Sequence, residues 1–117
     1  MSAMIDKSAK FTAVLAFDDL TALGAIRALR GAGRSVPDDC SVIGFDDVPL
    51  AAVSTPGLTT IRQPMEQMGS LAAEWVLEAL RGTKEAPAGD GVPSLSGTLH
   101  LLPPELVVRE STARRRG

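Results

Sequence analysis

Residues 11–17 read FTAVLAF, an uninterrupted β-prone apolar run that stops at Asp18 and Asp19, the pattern of a strand buried on both faces of a sheet. From Asp19 the periodicity changes. The segment DLTALGAIRALRGAG is rich in Ala and Leu, opens on an acid and closes on Gly31 and Gly33, which are the start and stop signals of a helix. Val36-Pro37-Asp38-Asp39 is a turn, and residues 41–45 (SVIGF) form a second short apolar strand that again ends in an aspartate pair, Asp46 and Asp47. Strand, helix and strand in this close succession make a βαβ unit with parallel strands and a right-handed crossover.

Residues 48–53 are apolar and suit a short helix before Ser54-Thr55-Pro56-Gly57 breaks the run, and residues 58–61 give a third short strand. Gln63-Pro64 then opens the longest helix, with Pro64 at its first helical position and Gly82 just past its end. Met65, Met68, Ala72, Trp75, Val76 and Ala79 recur at helical spacing, while Ser70, Glu74, Glu78 and Arg81 hold the other side. A Pro/Gly-rich loop over 83–97 leads to two last strands, 98–102 and 106–109, around Pro103-Pro104. The expected fold class is α/β, built from parallel-sheet βαβ units.

With 117 residues, 44% of them hydrophobic and 22% charged, the chain is one small folded domain or a piece of a larger one. No apolar run approaches the ~18 residues that a membrane helix needs. Lys7 and Lys10 ahead of residues 11–17 resemble the start of a signal peptide, yet the run ends at two aspartates with no small-residue cleavage site, so a cytoplasmic location and no membrane partner are expected. A single cysteine, Cys40, excludes an internal disulfide, and with one histidine, His100, beside it no metal site is expected. Arg114, Arg115 and Arg116 conceal a more acidic body behind the net charge of −2. That body carries few aromatics and no basic helix, so direct nucleic-acid binding by this segment has little support, and the arginines read as a solvated terminus.

Asp18 and Asp46 each close a strand and lie one βαβ repeat apart, which puts both carboxylates at the carboxyl rim of one sheet, where open parallel sheets bind ligands. The competing reading is that the four aspartates cap helices, and it fits Asp19 and Asp47 better than the two nearer the strands. Catalysis finds no support. No histidine or cysteine accompanies a serine in a nucleophile motif, and RGAGRS ends a helix where a dinucleotide fingerprint would open one, so no catalytic residue and no cofactor are expected. A phosphoacceptor receiver domain of a response regulator has similar length and strand-end aspartates. It needs a lysine at a later strand end, and the lysines here are Lys7, Lys10 and Lys84.

Five stretches in register carry a resemblance: FTAVLAFDDLTALGAIRALR, VPDDCSVIGFDD, PGLTTIRQP, the MG at 68–69 with the amphipathic helix around it, and LPPELVVRES. Together they resemble the carboxyl-terminal part of the ligand-binding core of lactose-repressor-type (LacI/GalR) transcription regulators. The resemblance implies a fragment of a periplasmic-binding-protein-like type I fold across residues 1–117, with the helix-turn-helix head lying outside this chain. It further implies a small effector, such as a sugar or nucleoside-like compound, bound by Asp46 and by the strand-end residue Asp18, where relatives commonly carry Asn. An acceptor-only charge at that position favours effectors rich in hydroxyl or N–H donors.

In such proteins the first helix and the segment matching residues 50–54 form the subunit contact, so the resemblance implies a homodimer interface at Leu23, Ile26, Arg27, Leu50, Ala51, Val53 and Ser54. The function implied is an effector-sensing repressor module, not an enzyme, that reaches operator DNA through the head. A solute-binding transport protein of the same fold is the alternative, and the wordings VPDDCSVIGFDD and LTTIRQP argue against it.

Overall fold

A computed structural model describes residues 10–81 and 100–114. The first compact unit is formed by Met1–Gln63 with Pro104–Gly117 and the second by Pro64–Pro103. In the first unit β1 (Ala13–Leu15) is followed by α1 (Asp19–Gly31), β2 (Ser41–Ile43), α2 (Pro49–Val53), β3 (Thr60–Arg62) and, late in the chain, β4 (Glu105–Val107). Strands β1 and β2 pair in parallel with Leu15 opposite Ile43, as the βαβ reading requires. A parallel bridge from Ile43 to Thr59, with Gly44 N–H donating to Thr59 O and Asp46 N–H to Ile61 O, carries the order on to β3. Strand β4 closes that edge antiparallel, Arg62 opposite Glu105.

Helix α1 forms where the sequence placed it. Its Ala22, Ala25, Ile26 and Leu29 are buried at helical spacing, and with Val36, Cys40, Val42, Ala51 and Leu58 they make up the buried core. Gly33 supplies the left-handed residue after the helix, at φ 75°, and Arg34 N–H then reaches back to Leu29 O, so the last carbonyls of the helix are satisfied. Arg34 also lies over the Phe11 ring at 4.5 Å, fastening the chain ahead of β1.

Four expectations need correction. Residues 11–17 are not buried on both faces: Val14 and Ala16 pack against the core, but Leu15 is 78% and Phe17 89% exposed, because the one crossover helix covers a single face of the strand. The third strand runs Thr60–Arg62, starting two residues later and ending one later than the expected 58–61, since Leu58 is used in the core before the ladder with β4 begins. Of the expected strands at 98–102 and 106–109, residues 98 and 99 lie outside the described residues, 100–102 form no strand, and the second becomes Glu105–Val107. The loop at 83–97 also lies outside the described residues.

In the second unit, α3 (Met65–Leu80) is the long helix. Pro64 stands one residue ahead of it as N-cap, not at its first helical position, with ψ 61° still outside the helical region. No residue of α3 is buried, so Met65, Met68, Trp75 and Val76 of the apolar stripe are all exposed. His100 meets Trp75 edge-on, ring centroids 5.4 Å apart, and Glu66, Gln67, Ser70, Leu71 and Glu74 line a groove of about 550 Å³ with Leu102.

Candidate functional site

Because Leu15 pairs with Ile43 in a parallel register, Asp18 and Asp46 occupy equivalent positions just past the ends of adjacent strands. Both therefore belong to the carboxyl rim of β1 and β2. Asp18 also caps α1. Its backbone is extended at φ −146°, and its Oδ1 accepts from Thr21 N–H at 2.6 Å. That Thr21 N–H holds the Asp18 carboxyl below the ordinary carboxylate range. The Thr21 bond is made to Oδ1, and the Leu20 N–H adds a weaker pull in the same direction.

Asp46 is held from two directions. Its N–H donates to Ile61 O at 2.8 Å and its Oδ1 accepts from Gln63 Nε2 at 2.7 Å. Its φ of 103° and the φ of 56° at Asp47 make two consecutive left-handed residues that are not glycine, an uncommon backbone for L side chains. Such geometry needs surrounding contacts to persist.

Asp47 and Asp19 are not the helix caps that the sequence suggested. The residue capping α2 is Val48, without a side-chain hydrogen bond. Asp47 instead accepts from Arg62 Nε at 2.7 Å and from Arg109 at 2.6 Å, with its side chain only 8% exposed. Burial pushes its carboxyl upward, but the hydrogen bonds and charges of Arg109 and Arg62 outweigh that and hold it below the ordinary range. The Asp47 carboxylate in turn raises the Arg62 guanidinium. Arg109 uses a further N–H on Leu58 O at 2.7 Å, so the ion pair is tied to the backbone entering β3.

Asp19 is buried. Its carboxylate accepts from Thr60 Oγ1 at 2.5 Å and from Val48 N–H at 2.8 Å, and its own N–H donates to Phe45 O at 2.9 Å. Those bonds join the start of α1 to the exit of β2 and to β3. Gly44 makes them possible, since a Cβ there would fall on Asp19 Oδ1 and on Leu58.

Gln63, Arg62 and Arg109 were missed as site residues. Two adjacent polar residues at the exit of β3 are the signal that could have found the first two: consecutive Arg62 and Gln63 take the consecutive Asp47 and Asp46. A groove of about 320 Å³, lined in part by Asp38, Asp39, Thr112 and Arg114, lies by the amino ends of the strands and contains neither rim aspartate.

The expected subunit surface divides. Ile26 and Ala51 are buried in this chain's own core. Leu23 packs partly against that core, and the Ser54 hydroxyl donates to Ala51 O and Pro56 O. Arg27, Leu50 and Val53 are exposed, Leu50 at 49% and Val53 at 75%.

The family described as Periplasmic binding protein-like domain matches residues 2–112. Among curated proteins, the HTH-type transcriptional regulator MalR of Streptomyces coelicolor is 48% identical over 106 residues, which are 91% of this chain and 28% of that protein. Among solved structures, a LacI family transcriptional regulator from Arthrobacter in complex with lactose has a TM-score of 0.78 and 35% identity, over 96% of this chain and 38% of that one. The Lac repressor dimer bound to operator and an anti-inducer has a TM-score of 0.79 and 32% identity, over 97% of this chain and 36% of that one. The chain thus spans between a quarter and two fifths of the length of these relatives.

Proposed function

The chain belongs to the periplasmic-binding-protein-like family in the form found in LacI-type transcription regulators, and from that premise we propose that it is the carboxyl-terminal part of the effector-sensing core of such a repressor. The effector is a small polyhydroxylated or nucleoside-like compound received at the carboxyl rim of β1 and β2. One observation carries this reading: Asp18 and Asp46 stand at equivalent ends of adjacent parallel strands, and Asp46 is held there by Gln63 and Ile61.

Two carboxylates at such a rim can accept from neighbouring hydroxyls of one sugar ring. Hydrogen bonds to charged groups contribute ~1.5–3 kcal/mol each, enough to fix a ligand's orientation. Binding would shift a two-state equilibrium of the core, and that shift, carried through a homodimer, would reach operator DNA by way of the helix-turn-helix head that relatives of this kind possess. The module is a sensor and no chemical step is assigned to it. The receiver-domain reading is withdrawn, since residues 2–112 match a different family. The transport reading is less well supported than the regulator, because the curated relatives are transcription regulators. Cytoplasmic residence accompanies the regulator reading, and no helix among the described residues is long and apolar enough to cross a membrane.

Calorimetry on the full-length protein with lactose, cellobiose and a purine nucleoside tests the proposal. Asp46→Asn should weaken binding of whichever ligand binds by roughly 10- to 100-fold, the equivalent of one charged hydrogen bond. Undiminished binding by that variant would remove the rim from the site.

A further inference from the structure

Two aspartates in succession leave β2 with left-handed backbones, at φ 103° and 56°, and each is held by a different residue of the same pair at the end of β3. Gln63 holds Asp46 and Arg62 holds Asp47. A third contact comes from after β4, where Arg109 reaches Asp47 at 2.6 Å while also donating to Leu58 O. The two arginines approach different oxygens of Asp47, Arg62 on Oδ2 and Arg109 on Oδ1, so the carboxylate is gripped as a fork between the ends of two strands. Arg62 continues to Glu105 at 3.2 Å, which ties the same grip to β4.

From this arrangement we infer that Asp47 is a positioning residue: its paired arginines fix the left-handed turn that aims the Asp46 carboxylate into the rim. The inference rests on the reading of Asp46 as an effector ligand, and it deepens that reading by naming what sets the ligand's direction. The physical link is short. Peptide planarity transmits a rotation at Asp47 to the carbonyl of Asp46, and the Asp46 N–H and Oδ1 are pinned to Ile61 and Gln63, so release of Asp47 frees the one side of Asp46 that no bond of its own restrains. A turn of this kind persists only where its surroundings over-determine it. Asp46 needs this support more than Asp18, whose extended backbone and helix-cap bond place it without help.

The test is a spectroscopic one in the full-length protein labelled with 13C at the aspartate carboxyl carbons, the Asp46 resonance being assigned by its loss in Asp46→Asn. Asp47→Asn keeps a side chain that tolerates the left-handed backbone but removes the charge that both arginines grip. The Asp46 resonance should then shift and broaden while that of buried Asp19 stays in place, and Asp47→Glu should restore part of the native signal. General loosening of the fold would move both resonances together. Should Asp47→Asn fail to fold, Arg62→Gln decides the matter, because Arg62 is half exposed and its loss opens one arm of the grip, which should shift the Asp46 resonance in the same direction by a smaller amount. An Asp46 resonance unchanged in the folded variants overturns the inference. No ligand enters this measurement, so its outcome is independent of whether Asp46→Asn abolishes effector binding, and the two readings fail separately.

Discussion

Ser111 and Val42 hold each other across the first unit by two bonds in opposite senses: Ser111 Oγ donates to Val42 O at 2.6 Å, and Val42 N–H donates to Ser111 O at 2.9 Å. Ser111 Oγ also accepts from Thr59 N–H at 2.8 Å, so one fully buried hydroxyl completes the backbone of β2 and of the segment entering β3. Residues after β4 therefore act as a clasp on the strands that carry the rim.

Ser111→Ala should destabilise the protein by about 1–3 kcal/mol, since it leaves a buried N–H and a buried carbonyl without their side-chain partner. Urea denaturation checks this. Ser111→Thr, which retains the hydroxyl but adds a methyl in a closed space, should fall between Ala and native; a native-like midpoint for the Ala variant would show that the clasp contributes nothing.

Gly44→Ala should be among the most damaging small changes. Its Cβ would meet Asp19 Oδ1 and Leu58 side by side, and both are buried, so neither can move aside cheaply. Overpacking of this kind costs about 1–3 kcal/mol, and displacement of the Asp19 carboxylate from Thr60 and Val48 adds to it. Thermal melts of Gly44→Ala beside Gly24→Ala make the comparison, since a Cβ at Gly24 meets nothing. Equal melting temperatures would contradict the packing described.

Acid should weaken the fold through Asp47. Its folded carboxyl titrates below the ordinary value of 3.8, so its contribution to stability is fully present above that value and is lost as the pH falls through the lower, folded one. Asp18 shifts in the same direction through its Thr21 cap, but at an exposed position where solvent screens the effect. Denaturation midpoints measured between pH 5 and about pH 2 should decline in the native protein and decline less in Asp47→Asn. A parallel decline in both would assign the acid sensitivity elsewhere.

The βαβ frame was legible because its signals are local. An apolar run, an aspartate pair and a helical repeat of Ala, Ile and Leu are complete within a few neighbours, and β1, α1 and β2 lie within the spans those signals mark, though both strands are shorter than the runs 11–17 and 41–45. The division of labour within each aspartate pair was not legible. Capping suited Asp19 and Asp47 from the sequence, whereas Asp18 is the cap, Asp19 is buried under Thr60 and Asp47 lies between two arginines. The partners that decide this stand 41 residues away for Asp19 and, for Asp47 with Arg109, 62 residues away. No local pattern could have reported them. Exposure of Leu15 and Phe17 was hidden for a related reason, since a run of apolar residues shows that a strand can be covered on both faces but not what covers it.

The proposed subunit contact can be tested through the different burial of its expected residues. Ile26 and Ala51 belong to the core, so Ile26→Ala should cost the fold about 2–4 kcal/mol and leave dimer affinity nearly unchanged. Leu23 is a poor probe, because it packs partly on the same core and any change there mixes folding with association. Val53 separates the two. It is 75% exposed on α2 beside Leu50, and its side chain makes no contribution to the buried core. In a two-fold contact Val53→Lys would set a charge against the same patch of the partner, where an unpaired ammonium loses its hydration and finds no counter-ion. Sedimentation of the full-length protein over a range of concentrations should then show a dimer weakened by at least ~10-fold, the loss expected for a residue near the centre of an interface. A dimer of native affinity in Val53→Lys, with Leu50→Lys behaving the same way, would move the contact off α2 altogether.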